Sequence, residues 1–203
     1  MPSRPSPAPA GWPANVVYLS TPAPSRLLPA AHRETYCSPC PPHLLPNPSP
    51  KLAIRRITDP SHPACGQSGL FNASGKKIER GTWLRDYVGV VHLEREADPK
   101  SDYDLSLDRI PSRSGSDGVE TSQEVIGIDA TTQGGEARFV NDYRGTGLPR
   151  PNALFEVREW DLGSGKGKAK RMAIWAGPHG IDKNAEVCVS YGKGFWDHRK
   201  NES

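Results

Sequence analysis

From Leu52 onward the chain is cut into short β-leaning runs by clusters of Gly, Pro, Asn, Asp and Ser, and no stretch keeps the apolar period of a long amphipathic helix. Such a chain can bury apolar surface only by pairing short strands. Apolar and β-branched residues mark strands at 52–57, 69–73 and 83–93, the last two joined through turns at Ser74–Gly75 and Arg80–Gly81 in a hairpin pattern. SDYDLSLD, 101–108, sets Tyr103, Leu105 and Leu107 against Asp102, Asp104, Ser106 and Asp108, as a strand with one wet face does. A polar loop is expected at 110–123. After it come a strand EVIGIDA, a strand pair NALFEVREWD and RMAIWA around the exposed loop GSGKGKAK, and a last short strand at 187–189. About eight or nine strands make the domain mainly β.

The first part of the chain is different. It holds 14 of the 21 prolines before residue 51, with only scattered large apolar residues. Too little surface is available there to offset the entropy of ordering, so residues 1–52 are expected as a disordered proline-rich region and 53–203 as one domain. A net charge of +3 does not indicate a nucleic acid as substrate. No apolar run is long enough to span a membrane and no secretory signal opens the chain, so an intracellular protein is expected. Cys37 and Cys40 form one CxxC whose nearest helpers, His32, His43 and His62, are irregularly spaced, and no metal is expected. Between Glu94 and Arg109 six acids face three bases. That imbalance suits either a solvated face or attraction of a basic peptide.

Two segments carry the chemistry. ARFVNDYRGTGLPRPN, starting at Ala137, runs from an apolar, β-leaning pair into Asn141 and a loop closed by Pro149, Pro151 and Asn152. EVCVSYGKGFW, starting at Glu186, ends a strand on Tyr191, with Gly192 and Gly194 after it and the aromatic pair Phe195 and Trp196 beyond. In this order the segments resemble the R-F-x-N-H-x-x-x-P-N and E-E-L-x-x-D-Y-G signature of SET-domain protein-lysine methyltransferases. Arg138, Phe139, Asn141, Pro151, Asn152, Glu186, Tyr191 and Gly192 stand at matching places. The lead-in IDATTQGGEARFVN and the earlier segment containing Gly69, Ile78, Gly81, Tyr87 and Gly89 extend the resemblance upstream. The chain departs from the pattern at Asp142, where the family has histidine, at Gln67, and in the longer gap from Asn141 to Pro151.

The resemblance implies a SET-type fold of short twisted sheets whose two signature segments thread past each other in a knot-like core. It also implies S-adenosylmethionine as cofactor and a lysine-containing protein as substrate, a histone tail first among them, and with it a nuclear location, a cytoplasmic one being the alternative. Gly69, Leu70, Tyr103, Arg138, Asn141 and Asp142 become the expected cofactor-binding residues. Tyr191 becomes the catalytic phenol, and Tyr87, Phe195 and Trp196 the walls of the lysine channel. Tyr103 and Tyr191 are also what core tyrosines look like, and Gly69 is also what a tight turn requires. Asp142 brings a negative charge toward a cationic cofactor or calls for a partner such as Arg144. The alternative from another class is a SET-shaped interaction module with weak or no activity.

Overall fold

The computed structural model describes residues 7–45, 49–113 and 120–192. In chain order it holds β1 (Val17–Tyr18), β2 (Ala23–Pro24), α1 (Ala30–Cys37), β3 (Leu52–Arg56), β4 (Ser68–Asn72), β5 (Trp83–Asp86) and β6 (Val90–Leu93). These are followed by β7 (Asp104–Arg113), β8 (Glu120–Asp129), β9 (Gln133–Gly134), β10 (Asn141–Asp142), β11 (Ala153–Asp161), β12 (Lys168–Ala176) and β13 (Cys188–Val189). The protein is mainly β, in short sheets, as expected. It forms two compact units, one of Met1–Pro46, Asp86–Arg138 and Val157–Ala173, the other of Asn47–Arg85, Phe139–Glu156 and Ile174–Ser203. A three-stranded sheet has the order β11-β12-β5.

The first unit is built on the sheet β2-β6-β8-β7, whose inward residues Val91, Leu93, Ile126 and Ile128 are fully buried. The β7–β8 hairpin reaches further than the sequence suggests. Its register runs from Asp104 opposite Asp129 out to Arg113 opposite Glu120, through the segment expected as a loop. A register shift between Ser106 and Asp108 makes Leu107 the extra residue of a bulge, and its side chain is buried. The expected strand 83–93 is broken into β5 and β6. At the break, a Cβ on Gly89 would fall onto the Asp129 carbonyl, so backbone meets backbone there as only glycine allows.

The proline-rich stretch also differs from expectation: residues 7–45 are ordered within this unit. β1 pairs in parallel with β9 and β2 with β6. Pro24 sits in a strand without harm because the donors facing β6 are its neighbours, Ala23 N–H to Gly89 O (3.0 Å) and Ser25 N–H to Val91 O (2.8 Å). Leu28 and Tyr36 are buried. Arg171, itself buried, donates from its guanidinium to the carbonyls of Tyr36 and Ser38 at the end of α1. The Tyr36 phenol donates to Asp108 (2.8 Å), which also accepts from Lys170 Nζ (2.6 Å). Composition hides such anchoring, because the donors come from β12, far along the chain.

The second unit contains the β3–β4 hairpin, in register from Leu52 opposite Asn72 to Arg56 opposite Ser68, and the parallel pair β10–β13. Its core includes Ile54, Leu70, Ile174, Ile181, Val187 and Val189. Buried Asn72 fastens the hairpin, its amide donating to the carbonyls of Lys76, Ile181 and Asp182 and its oxygen accepting from Ser74 N–H.

Candidate functional site

Asn141 and Tyr191 come together because β10 and β13 lie side by side. Asn141 is opposite Cys188 and Asp142 opposite Val189. The ladder continues as Tyr143 N–H to Val189 O (3.0 Å) and Asn152 N–H to Cys188 O (3.1 Å). Asn152 adds a side-chain clamp on the same segment, donating to the Glu186 carbonyl (2.7 Å) and accepting from Cys188 N–H (2.8 Å). The residues before β10 differ from expectation: Glu136–Phe139 form a single turn of tight helix, not a β run. On the other side of the strand, Val187 N–H donates to Leu70 O (2.7 Å), so the C-terminal segment runs between β4 and β10. Cys188 is fully buried and its thiol is pushed well up by that burial, which makes it core and not a nucleophile.

Tyr191 is held at two points by the segment it crosses. Its backbone N–H donates to Asp142 Oδ2 (2.7 Å) and its phenol donates to the Val140 carbonyl (2.7 Å). Asp142, with a side chain 4% exposed, also accepts from Arg144 N–H (2.8 Å) and from Arg144 Nη1 at 3.1 and 2.9 Å. Arg144 lies over the Tyr143 ring, 5.0 Å from its centre. The aspartate that replaces the signature histidine therefore has its cation. It also ties down the backbone of the tyrosine.

Asn141 makes a different set of bonds. Its amide nitrogen donates to Glu186 Oε1 (2.7 Å) and to the Ser68 carbonyl (3.4 Å). The second Glu186 oxygen meets His62 Nε2 at 2.9 Å, and both side chains are 11% exposed. A Cβ at Gly69 would lie 2.5 Å from Glu186 Oε1. The close approach that this glycine permits is thus to the Glu186 carboxylate. Leu70, expected beside it as a cofactor contact, turns a fully buried side chain into the core and offers its carbonyl to Val187.

Three of the expected site residues form a group in the first unit. Arg138 stacks over the Tyr103 ring at 4.3 Å and donates from Nε to Ala130 O (2.9 Å). Tyr87, expected in the lysine channel, is buried at 4% exposure and donates its phenol to the Tyr103 carbonyl (2.8 Å). Gly69, Leu70, Asn141, Asp142 and Tyr191 belong to the second unit. Phe195 and Trp196 lie outside the described residues. Reading the sequence for site residues passed over His62, Glu186 and Asn152. The latter two stand in the signature segments, whereas the sequence around His62 offers it only as a remote helper for the CxxC pair.

No family model matches the chain, and no curated protein matches it. Solved structures similar to it include KRYPTONITE in complex with mCHH DNA, H3(1-15) peptide and SAH, at 19% identity and a TM-score of 0.47, covering 70% of this chain and 23% of that one. The complex of KRYPTONITE with mCHG DNA and SAH is similar at 19% identity and a TM-score of 0.47, covering 70% of this chain and 24% of that one. The chain spans about a quarter of the length of these solved chains.

Proposed function

We propose that this chain is a SET-type protein-lysine methyltransferase that uses S-adenosylmethionine and acts on a histone or another basic protein tail, with 53–203 as its SET domain. The observation that carries the reading is the crossing of the two signature segments. β10 and β13 run parallel, and Tyr191 is fastened at its backbone and at its phenol to residues 140–142.

The donor set suits the cofactor. Asn141 offers an amide carbonyl beside a buried carboxylate, and the peptide groups of Asn141 and Asp142 lie next to it. Bound there, S-adenosylmethionine supplies the methyl group carried by its sulfonium. The protein's task is to hold a lysine amine in line with that group, and positioning of this kind contributes on the order of 7 to 11 kcal/mol. Because the Tyr191 phenol proton is committed to the Val140 carbonyl, its oxygen faces an amine as an acceptor. It orients the lysine N–H bonds and so aims the nitrogen lone pair. The amine must arrive neutral, which an apolar channel and a nearby positive charge both favour.

Calorimetric titration of the purified protein with S-adenosylmethionine and with S-adenosylhomocysteine tests the reading. Micromolar binding that disappears in Asn141→Ala, with the fold retained, supports it. A well-folded protein that binds neither compound removes the enzyme reading and leaves an interaction module.

A further inference from the structure

The basic segment that stands out in the sequence, GSGKGKAK, is compensated by its neighbours in the first unit. Lys166 meets Glu34 (3.0 Å), Lys168 meets Glu159 (3.2 Å) and Lys170 meets Asp108 (2.6 Å). Uncompensated positive charge gathers instead in the second unit, on three loops that are joined to one another. These are 74–82 between β4 and β5, 149–152 ahead of β11, and 177–184 between β12 and β13.

The first and third loops are bridged at Ile78 and Ile181, each donating its N–H to the other's carbonyl (2.8 and 2.9 Å). Gly81 N–H donates to Ala176 O (2.8 Å), and the Asn72 amide holds the carbonyls of Lys76, Ile181 and Asp182 together. Gly180 has a φ of +68°, and a Cβ there would fall onto the Ile78 carbonyl, so only glycine lets the two loops lie this close. The second loop is tied to the third by Gly177 N–H to Asn152 O (2.7 Å) and by Arg150 Nη1 to His179 Nε2 (3.2 Å). A guanidinium only donates, so the His179 ring accepts at Nε2 and carries its proton on Nδ1.

Together the loops expose Lys76, Lys77, Arg80, Arg150 and Lys183 against Glu79 and Asp182. That excess equals the net charge of the whole chain, +3. Lys77 is paired with Asp182 at 3.0 Å. Among the described residues the other four cations meet no carboxylate. Cations held on a fixed scaffold and left unpaired complement a polyanion whose charges repeat. The loops expose no large apolar side chain, so a lipid surface would gain no insertion here. A nucleic-acid backbone needs only such Lys and Arg heads to be held.

We propose that this three-loop surface docks the phosphate backbone of duplex DNA, without reading its bases. The choice of DNA among polyanions rests on the histone reading above, since a histone substrate lies against DNA. The affinity for phosphates rests on the loops alone.

The test is fluorescence anisotropy of a labelled, mixed-sequence DNA duplex titrated with the full chain, without cofactor, at several salt concentrations. Each phosphate contact contributes roughly 0.9 to the slope of log affinity against log salt, so four contacts predict a slope of about −3 to −4. Affinity should then fall roughly 100-fold between about 50 and 200 mM salt. Arg80→Gln, Arg150→Gln and Lys183→Gln should each make the slope shallower by about 1, with unchanged urea midpoints, and Lys76→Gln should do the same. Lys166→Gln combined with Lys168→Gln, in the compensated hairpin, should leave the slope as it was. No binding to the duplex at about 50 mM salt would overturn the proposal, as would a slope unmoved by the four loop variants. Tighter binding to vesicles of anionic lipid or to single-stranded RNA than to the duplex would overturn the choice of DNA. Duplex binding by a protein that fails to bind S-adenosylhomocysteine would leave the docking surface standing and remove only the cofactor reading.

Discussion

Replacing Asp142 by asparagine isolates what the aspartate does in a place where the signature has histidine. The side chain is 4% exposed. One oxygen accepts from Arg144 N–H and Nη1, and the other from Tyr191 N–H and Nη1. An asparagine keeps only one acceptor oxygen. Whichever way its amide turns, the NH2 group faces a backbone N–H, either that of Arg144 or that of Tyr191. A buried donor left unsatisfied costs about 1–3 kcal/mol. Loss of the charge from the Arg144 pair adds less than about 1 kcal/mol, because Arg144 is 37% exposed. The expected loss is therefore about 1–4 kcal/mol, read as a lower urea midpoint with an unchanged slope. Amide hydrogen exchange should quicken at Tyr191, since the variant removes one of its two anchors. Asp142→His should cost as much, because an imidazole cannot accept from all three donors and leaves Arg144 without its anion. A change below about 0.5 kcal/mol in Asp142→Asn, with Tyr191 exchange unaltered, would refute the reasoning.

Three further outcomes are expected. His92 is buried with Nδ1 against the Leu93 carbonyl and Nε2 against Asp104, both 3.0 Å, so both nitrogens donate only in the protonated ring. The Asp104 hydrogen bond raises its pKa in spite of burial. The stability it contributes is full below about pH 6.5 and is lost as pH rises through the raised folded value. Urea midpoints from pH 6 to 9 should fall in the wild type and flatten in His92→Gln, and an identical slope in both would contradict this. Arg171→Met removes the donors to the Tyr36 and Ser38 carbonyls, while Asp86 keeps its paired bonds from Arg158 at 2.7 and 2.9 Å. Local opening near α1 should become easier by about 2 kcal/mol, seen as roughly 30-fold faster tryptic cleavage after Arg33, and unchanged cleavage counts against the clamp. Asn152→Ala leaves the Glu186 carbonyl and the Cys188 N–H without their clamp. It should destabilise by about 2–4 kcal/mol in urea unfolding, and a loss under about 0.5 kcal/mol would show that the clamp is dispensable.

Local pattern made some of this molecule legible and left the rest hidden. Strands such as 52–56 and 153–161 follow from alternation and turn residues, because the forces that decide them act between near neighbours. Asn141 and Tyr191 could be named because each sits in a segment whose residue order is distinctive. The pairing of Asp142 with Arg144 was readable too, being only two residues apart. His62 was not, since its partner Glu186 lies 124 residues away and nothing nearby marks the loop as aimed inward. The proline-rich stretch departs from what its composition suggests for a related reason. Prolines already hold φ fixed, so ordering them costs less than average, and the anchors that reward it come from distant Arg171, Lys170 and Asp108. Gly69 was legible as a close approach, but the Glu186 carboxylate beside it was not, because it lies far along the chain.

The central claim is methyl transfer aimed by Tyr191, and the most direct test follows a labelled methyl group from S-adenosylmethionine onto lysine-containing basic peptides and histone proteins. Wild-type protein should label lysine, and Tyr191→Phe, equally folded and equally able to bind cofactor, should do so roughly 10²- to 10⁴-fold more slowly. Lysine labelling at the wild-type rate in Tyr191→Phe would remove the phenol from the account. A folded wild-type protein that binds S-adenosylmethionine and labels no lysine would contradict the account itself.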